Sequence, residues 1–270
     1  MTTAIVRPAT RNDLDKLEAM IAHVDPGMLT MPSSREAMAA RIDRSLAAFA
    51  RGSLPPQNEC YFLVMEEDGE LLGTASIFTN LGVERPFYSY RISRDAKVSP
   101  ELDVKVELDL LFLVNDYHGD CELGTLFIER KARGGGRGRL LSFARLMLIA
   151  ADPVRFGPKA MAEIRGFTLP DGHSPFWDAV GSKFFRMEYR MADVEAFIDH
   201  IDTVRETVRM SAAAFVKGPR PSAGLAANPD LSRFSVTQFG DDDDPAAVLA
   251  RIGVGAGEEV SVYRLKASRP

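Results

Sequence analysis

The residues of this chain best placed to do chemistry by type and spacing are Arg133-Gly134-Gly135-Gly136-Arg137-Gly138. They lie in "ERKARGGGRGRLLSFARLML" (129–148), where four glycines and five arginines crowd the start of an apolar helical run. A helix that begins just after these glycines leaves its first amides without intrahelical acceptors, and glycine lets backbone approach an anion closely. The helix dipole and the arginines add attraction for negative charge. The chemistry is phosphate binding; a glycine-rich joint with no ligand is the alternative at this point. The two cysteines, Cys60 and Cys121, have no neighbouring His or basic cluster to activate a thiolate and no metal-ligand spacing.

The elements that must position this turn are legible around it. "CELGTLFI" (121–128) alternates and ends apolar like a buried strand, so the glycines fall at a strand-to-helix junction. Upstream, "TAIVRP" predicts a short strand, and "TRNDLDKLEAMIAHV" a helix capped by Thr or Asn. "SSREAMAARIDRSLAAFARG" predicts a second helix, capped by Ser33 or Ser34 and stopped at Gly52. "CYFLVMEEDGELLGTASIF" predicts a hairpin turning at Asp68-Gly69. Residues 80–105 read as irregular or edge strands, and "LDLLFLV" as a strand separated from "CELGTLFI" by the turn "NDYHGD". After the helix from about 138 to 151 come a strand "AMAEIRGF", a helix "SPFWDAVGSKFF" capped by Ser174, and a strand "RMEYRM".

From about residue 192 the character changes. "VEAFIDHIDTVRETVRMSAAAF" suits a helix, "KGPRPSAGLAANPDLS" is a linker without apolar periodicity, and four aspartates (241–244) precede a short helix and a final strand. Part of 216–246 is expected to be exposed and mobile, and open to proteolysis between Lys217 and Arg233.

Composition frames the function. With 270 residues, 46% hydrophobic and 26% charged, the chain can bury a full core. Its net charge of −5 argues against a general nucleic-acid binder, whose affinity comes from neutralising phosphates with a basic face. No apolar run approaches the roughly 20 residues that span a bilayer, and the N-terminus has no long apolar stretch of the secretory kind. The expectation is a cytoplasmic protein with no membrane, nucleic-acid or metal partner.

The spacing Arg-x-x-Gly-x-Gly at 133–138, after a strand and before a helix, resembles the pyrophosphate loop of the Gcn5-related N-acetyltransferases (GNAT). A dinucleotide is less favoured, because its fingerprint is Gly-x-Gly-x-x-Gly in the first strand–helix unit with an acidic residue further on. Longer segments sharpen the resemblance. "PFYSYR", "LFLVND", "ELGTLFIE", "RGGGRGRLLSFARLM", "AEIRGF" and "DGHSPFWDAVGSKFFRM", in this order, resemble the arginine N-succinyltransferase family from residue 4 to 191. The fold implied is α/β (α+β), a GNAT-like mixed, mostly antiparallel sheet flanked by helices. Residues 1–191 would form the acyl-CoA-binding domain and 192–270 a divergent C-terminal appendage.

The resemblance implies transfer of a succinyl group from succinyl-CoA to the α-amine of arginine, with ornithine as a further acceptor. It places succinyl-CoA against Leu126 and the pyrophosphate on Arg133, Gly134, Gly135, Gly136, Arg137 and Gly138. The strand before the loop would pair with the pantetheine amides and turn backbone N–H groups toward the thioester oxygen. The family's C-terminal segments with a proton-donating His have no counterpart among these 270 residues, whose histidines are His23, His118, His173 and His200. Proton transfer would then fall to His118, beside the cofactor strand, or to a homo- or hetero-oligomeric partner such as a full-length homologue. A catalytically silent or regulatory subunit is the alternative. Asp116, Glu122 and Glu163 are carboxylates suited to the acceptor's amine or guanidinium. Arg91 and Arg165 are forked cations suited to the carboxylates of the acyl group and the amino acid.

Overall fold

The computed structural model describes residues 3–191 apart from 25–27, 29, 85, 165, 186 and 190, and beyond them 212–217, 236–237 and 247. Strand β1 (Ile5–Pro8) leads through a 3₁₀ turn into α1 (Leu14–Ile21). Thr10 and Asp13 form a capping box there, which satisfies amides the helix start would leave open. The second helix, α2 (Arg35–Ala50), is capped by Ser34, whose side chain accepts from Ala37 N–H at 3.2 Å. Strands β2 (Cys60–Glu67) and β3 (Glu70–Phe78) form the expected hairpin. Asp68 and Gly69 both take positive φ, 52° and 76°, as a tight two-residue turn requires.

The next stretch is edge strand, one of the two readings its sequence allows. Residues 89–99 are a regular strand, β4 (Ser89–Ser99), paired over its whole length with β5 (Val104–Val114) in a separate two-stranded ribbon. "LDLLFLV" is therefore a strand but not a member of the main sheet, and its Leu108, Leu111 and Phe112 are exposed. The main sheet resumes with β6 (Cys121–Ile128), followed by α3 (Arg137–Ala151) and β7 (Lys159–Ile164). Trp177–Gly181 and Ser182–Phe184 complete the expected helix as a π turn and one α turn. Ser174 Oγ accepts from Trp177 N–H at 3.3 Å. Trp177 is core, stacking on Phe185 with centroids 5.9 Å apart. The strand expected over 186–191 does not form at its described residues.

Beyond residue 191, β8 (Ala212–Lys217) pairs with β7 and β9 (Val236–Thr237) with β1. Of the helix expected over 194–215, residues 212–215 are strand instead, and the rest lies outside the described residues. The linker expected to be cut by protease lies, apart from Lys217, outside the described residues.

The seven-stranded sheet runs β8-β7-β6-β3-β2-β1-β9. It is antiparallel except where β6 and β7 lie parallel across the α3 crossover. The α+β arrangement expected from the sequence, a mixed and mostly antiparallel sheet flanked by helices, is borne out. Alternate residues of β2 divide the core: Tyr61, Leu63 and Met65 pack with Leu141, Ala144 and Leu148 of α3 on one face. Phe62 and Val64 pack with Leu17, Met38 and Ile42 of α1 and α2 on the other. The parallel pair matters most for function. Its register holds only at Cys121↔Ala160 and Glu122↔Met161, after which β6 and β7 part. A wedge opens between them, with α3 along one side.

Candidate functional site

The wedge is bounded at the end of β6 by the glycine-rich turn. Gly134, Gly135 and Gly136 have φ of 110°, 59° and 79°, a backbone that side-chain-bearing residues rarely adopt, so this turn favours glycine. Gly136 provides no side-chain cap to α3. The helix ladder starts with Leu140 N–H donating to Gly136 C=O at 2.9 Å, and Arg137 N–H turns back to Gly134 C=O at 3.2 Å. Amides of the first turn have no acceptor within the helix. A Cβ built on Gly134 or Gly138 meets nothing within 4 Å, so the backbone there is open to approach.

The cations around this turn divide. Arg137 donates through Nε and Nη2 to Glu67 Oε2, at 2.9 and 2.6 Å, so its guanidinium is already paired. Arg133 is exposed and, among the described residues, hydrogen-bonds only to Ile128 C=O, at 3.3 Å through Nε. Arg139 lies over the Phe143 ring. Arginines at the positive end of a helix dipole are unfavourable unless an anion joins them. Backbone amides and Arg133 are therefore the groups left to receive one.

Midway along β6 the ladder with β3 breaks. Thr74 faces Phe127 and Ser76 faces Gly124, so Ala75 alone opposes Thr125 and Leu126. This bulge puts Thr125 at φ 52°, which costs a β-branched residue energy. Three hydrogen bonds hold it. Thr125 N–H donates to Thr30 Oγ1, Thr125 Oγ1 donates to Thr30 C=O, and Thr74 Oγ1 donates to Thr125 C=O, each at 3.1 Å. The result is that Leu126, in a strand of buried neighbours, is 41% exposed. A bulge re-aims a strand's backbone at a ligand, and Leu126 is the residue it turns out.

At the start of β6 carboxylates gather. Asp120 is buried and its Oδ2 has no hydrogen-bond partner among the described residues; neither has the buried Oε1 of Glu163 on β7. Burial pushes the Asp120 carboxyl above the usual carboxylate range, against the pull of Lys159. Burial and the surrounding charges of Asp116, Glu163 and Asp120 push the Tyr117 phenol up as well. Glu122, also buried, has Oε1 3.5 Å from where a Cβ on Gly124 would sit. Arg91 and Asp116 meet each other: Nε lies 3.5 Å from Oδ2, with both side chains exposed. His118 is exposed in the turn, its N–H donating to Asn115 C=O at 3.3 Å. Arg165 lies outside the described residues.

Both cysteines are buried. Burial pushes the Cys60 thiol up and the Cys121 thiol up to about 11, so neither is a ready nucleophile. Among the described residues no three His, Cys, Asp or Glu side chains gather as a metal site would need, and no helix is long and apolar enough to cross a membrane.

Sequence reasoning missed Tyr117, Asp120 and the Thr30–Thr125 clasp. Asp120 had a signal, as the last acid of "NDYHGD" before β6. Thr30 had none, because the contact joins residues 95 apart.

A family model described as the arginine N-succinyltransferase beta subunit matches residues 4–209. Arginine N-succinyltransferase of Enterobacter sp. (strain 638) is 38% identical over 191 residues, which are 70% of this chain and 55% of that protein. Arginine N-succinyltransferase subunit beta of Pseudomonas aeruginosa is 37% identical over 190 residues, 70% of this chain and 56% of that one. The structure of arginine/ornithine succinyltransferase subunit AI from Pseudomonas aeruginosa superposes with a TM-score of 0.67 at 27% identity, covering 86% of this chain and 65% of that chain. The chain spans about half the length of the curated relatives it matches.

Proposed function

The chain belongs to the arginine N-succinyltransferase family, and on that premise we propose that it transfers a succinyl group from succinyl-CoA to the α-amine of arginine or ornithine. The observation that carries this reading is the layout of β6. It has an uncapped glycine turn at one end, carboxylates with unpartnered oxygens at the other, and a bulge between them.

In this reading the CoA pyrophosphate sits on the amides of Gly134, Gly135, Gly136 and Gly138, with Arg133 adding charge. Arg137 fixes the turn through Glu67. The pantetheine arm enters the wedge along β6 and passes Leu126, bringing the thioester to the bulge. Asp116, Asp120, Glu122 and Glu163 receive the acceptor's guanidinium or amine, and Arg91 and Arg165 its carboxylate. The neutral amine attacks the thioester carbon directly, the C–N bond forms and the C–S bond breaks. The amine's proton passes to Glu163 or Asp116, with His118 as the further proton carrier, and the leaving thiolate takes up a proton as free CoA. Residues 1–191 form the body of the acyl-CoA-binding unit, and 192–270 add the edge strands β8 and β9 to its sheet.

The experiment is release of CoA thiol, followed by a thiol reagent, with succinyl-CoA and arginine together and with each alone. Release only when both are present is expected, with no succinyl adduct in the intact mass after succinyl-CoA alone. Binding of succinyl-CoA without turnover on arginine or ornithine would favour the second reading, a subunit that needs a homologous partner. Co-purification with such a partner tests that reading.

A further inference from the structure

Two arginines are buried among the described residues, Arg145 at 4% and Arg155 at 3% exposure. Arg155 has a counter-charge: its Nε donates to Asp152 Oδ2 at 2.6 Å. Among the described residues Arg145 has only neutral acceptors. Its Nη2 donates to Ser142 Oγ at 3.0 Å, its Nε to Ser142 C=O at 3.4 Å, and its Nη1 to Gly124 C=O at 3.4 Å. No carboxylate of the described residues bonds or pairs with it. Burial alone pushes its guanidinium down to about 10. A guanidinium has five N–H donors and a buried charge is costly without a partner, so folding gains nothing obvious from this one.

Its position in the wedge gives it a use. Arg145 stands nine residues beyond Gly136, about 13 Å down α3 from the phosphate turn at 1.5 Å per residue. There it reaches Gly124, the residue of β6 directly before the Thr125–Leu126 bulge. A CoA thioester held at the turn and threaded back along β6 brings its acyl group to this depth.

We propose that Arg145 receives the terminal carboxylate of the acyl group, and so selects a dicarboxylic acyl-CoA over a simple one of equal length. The inference rests on the CoA-binding reading above and deepens it by naming the group that reads the acyl chain. It leaves Arg91 and Arg165 to the amino acid's carboxylate. An unpaired buried guanidinium before the substrate arrives is the expected cost of such a site, repaid when the carboxylate supplies the charge-assisted pair.

The test compares wild type with Arg145→Met by calorimetry against CoA, butyryl-CoA and succinyl-CoA, together with thermal unfolding of both. Wild type is expected to bind succinyl-CoA more tightly than butyryl-CoA. Arg145→Met should keep its affinity for CoA and butyryl-CoA within about twofold and lose about 10- to 100-fold in succinyl-CoA affinity, the scale of a hydrogen bond to a charged group. Its midpoint should stay or rise, since Met replaces an uncompensated charge. If the variant keeps the wild-type preference, Arg145 does not read the acyl carboxylate, while the transferase reading stands. A midpoint lowered by several degrees makes Arg145 a structural residue and overturns the inference equally. A wild type that binds CoA but does not prefer succinyl-CoA removes the acyl assignment and this inference together. A wild type that binds none of the three removes the functional reading itself.

Discussion

The two ends of α3 are built on opposite plans. At its start three successive glycines hold positive φ, no side chain caps the helix, and the nearby cations outnumber their partners. At its end Asp152 accepts from Ser53 Oγ at 2.6 Å and from Arg155 Nε at 2.6 Å, and Arg155 Nη1 donates to Ala48 C=O at 3.0 Å. Asp152 and Arg155 are each 3% exposed. The same chain thus satisfies a buried ion pair fully at one end and leaves amides open at the other. Arg145 and Arg155 repeat the contrast in charge: Arg155 has a counter-ion, whereas Arg145, each of whose nitrogens donates to a neutral acceptor, has none among the described residues. Where amides and charges are paired internally the crossover is anchored; where they are not, a ligand is expected to pair them.

The largest effect that bears on this contrast is at the closed end. Asp152→Ala leaves the Arg155 guanidinium buried without its counter-charge, and the expected loss is about 3–5 kcal/mol in urea denaturation. A loss under about 1 kcal/mol would mean the pair is no anchor, and the two ends would not differ as argued. The next effect is at the open end. Gly136→Asp sets a carboxylate against the bound phosphates, and affinity for CoA is expected to fall about 100-fold by calorimetry, the scale of a lost charge-assisted pair turned repulsive. Asp is one of the few side-chain-bearing residues that tolerate positive φ, so the fold should survive with a loss of about 1–2 kcal/mol. Unchanged CoA affinity would remove the turn from the site.

Sequence reached the parts of this picture that are local. The Asp68-Gly69 turn, the Ser34 cap and the glycine run each declare themselves within a few residues, because the backbone they need is set by their own side chains. What it could not reach depends on distant partners. "LDLLFLV" shows the apolar content of a buried strand, yet β5 joins only β4, and Leu111 and Phe112 stand 47% and 49% exposed. Periodicity reports that a strand forms, not which sheet takes it in. Arg91 and Asp116 read as separate site residues and turn out to pair with each other. Arg145 counts among the arginines of a basic segment, and its burial follows from helical spacing: Leu141 and Ile149, four residues to either side, are core. The Thr125 bulge leaves no mark, since threonine is not the residue a positive φ would announce.

The smallest effect concerns two buried carboxylates that repeat the paired and unpaired plan. For Asp13, burial pushes the carboxyl up, but hydrogen bonds from Arg7 and from Thr10 prevail and hold it below the usual range. Its oxygens accept from Arg7 Nη1 and Nη2, both at 2.8 Å, and from Thr10 N–H at 2.7 Å. Stability from Asp13 is therefore present above its unfolded pKa, near 3.9, and is lost as pH falls through the lower folded value. Asp120 has the opposite sign. Its folded carboxyl is raised by burial, so the protonated form is favoured in the fold. Its contribution is full below pH about 4 and is lost as pH rises through the folded value. Asp120→Asn keeps a neutral side chain of the same shape at every pH. The variant should match wild type near pH 4 and exceed it by about 1 kcal/mol at neutral pH, the scale of an unsatisfied buried group. Urea midpoints measured across that range give the answer. If the variant instead loses stability as pH rises, Asp120 has a partner in the folded protein, and the carboxylates at the head of β6 are not waiting for one.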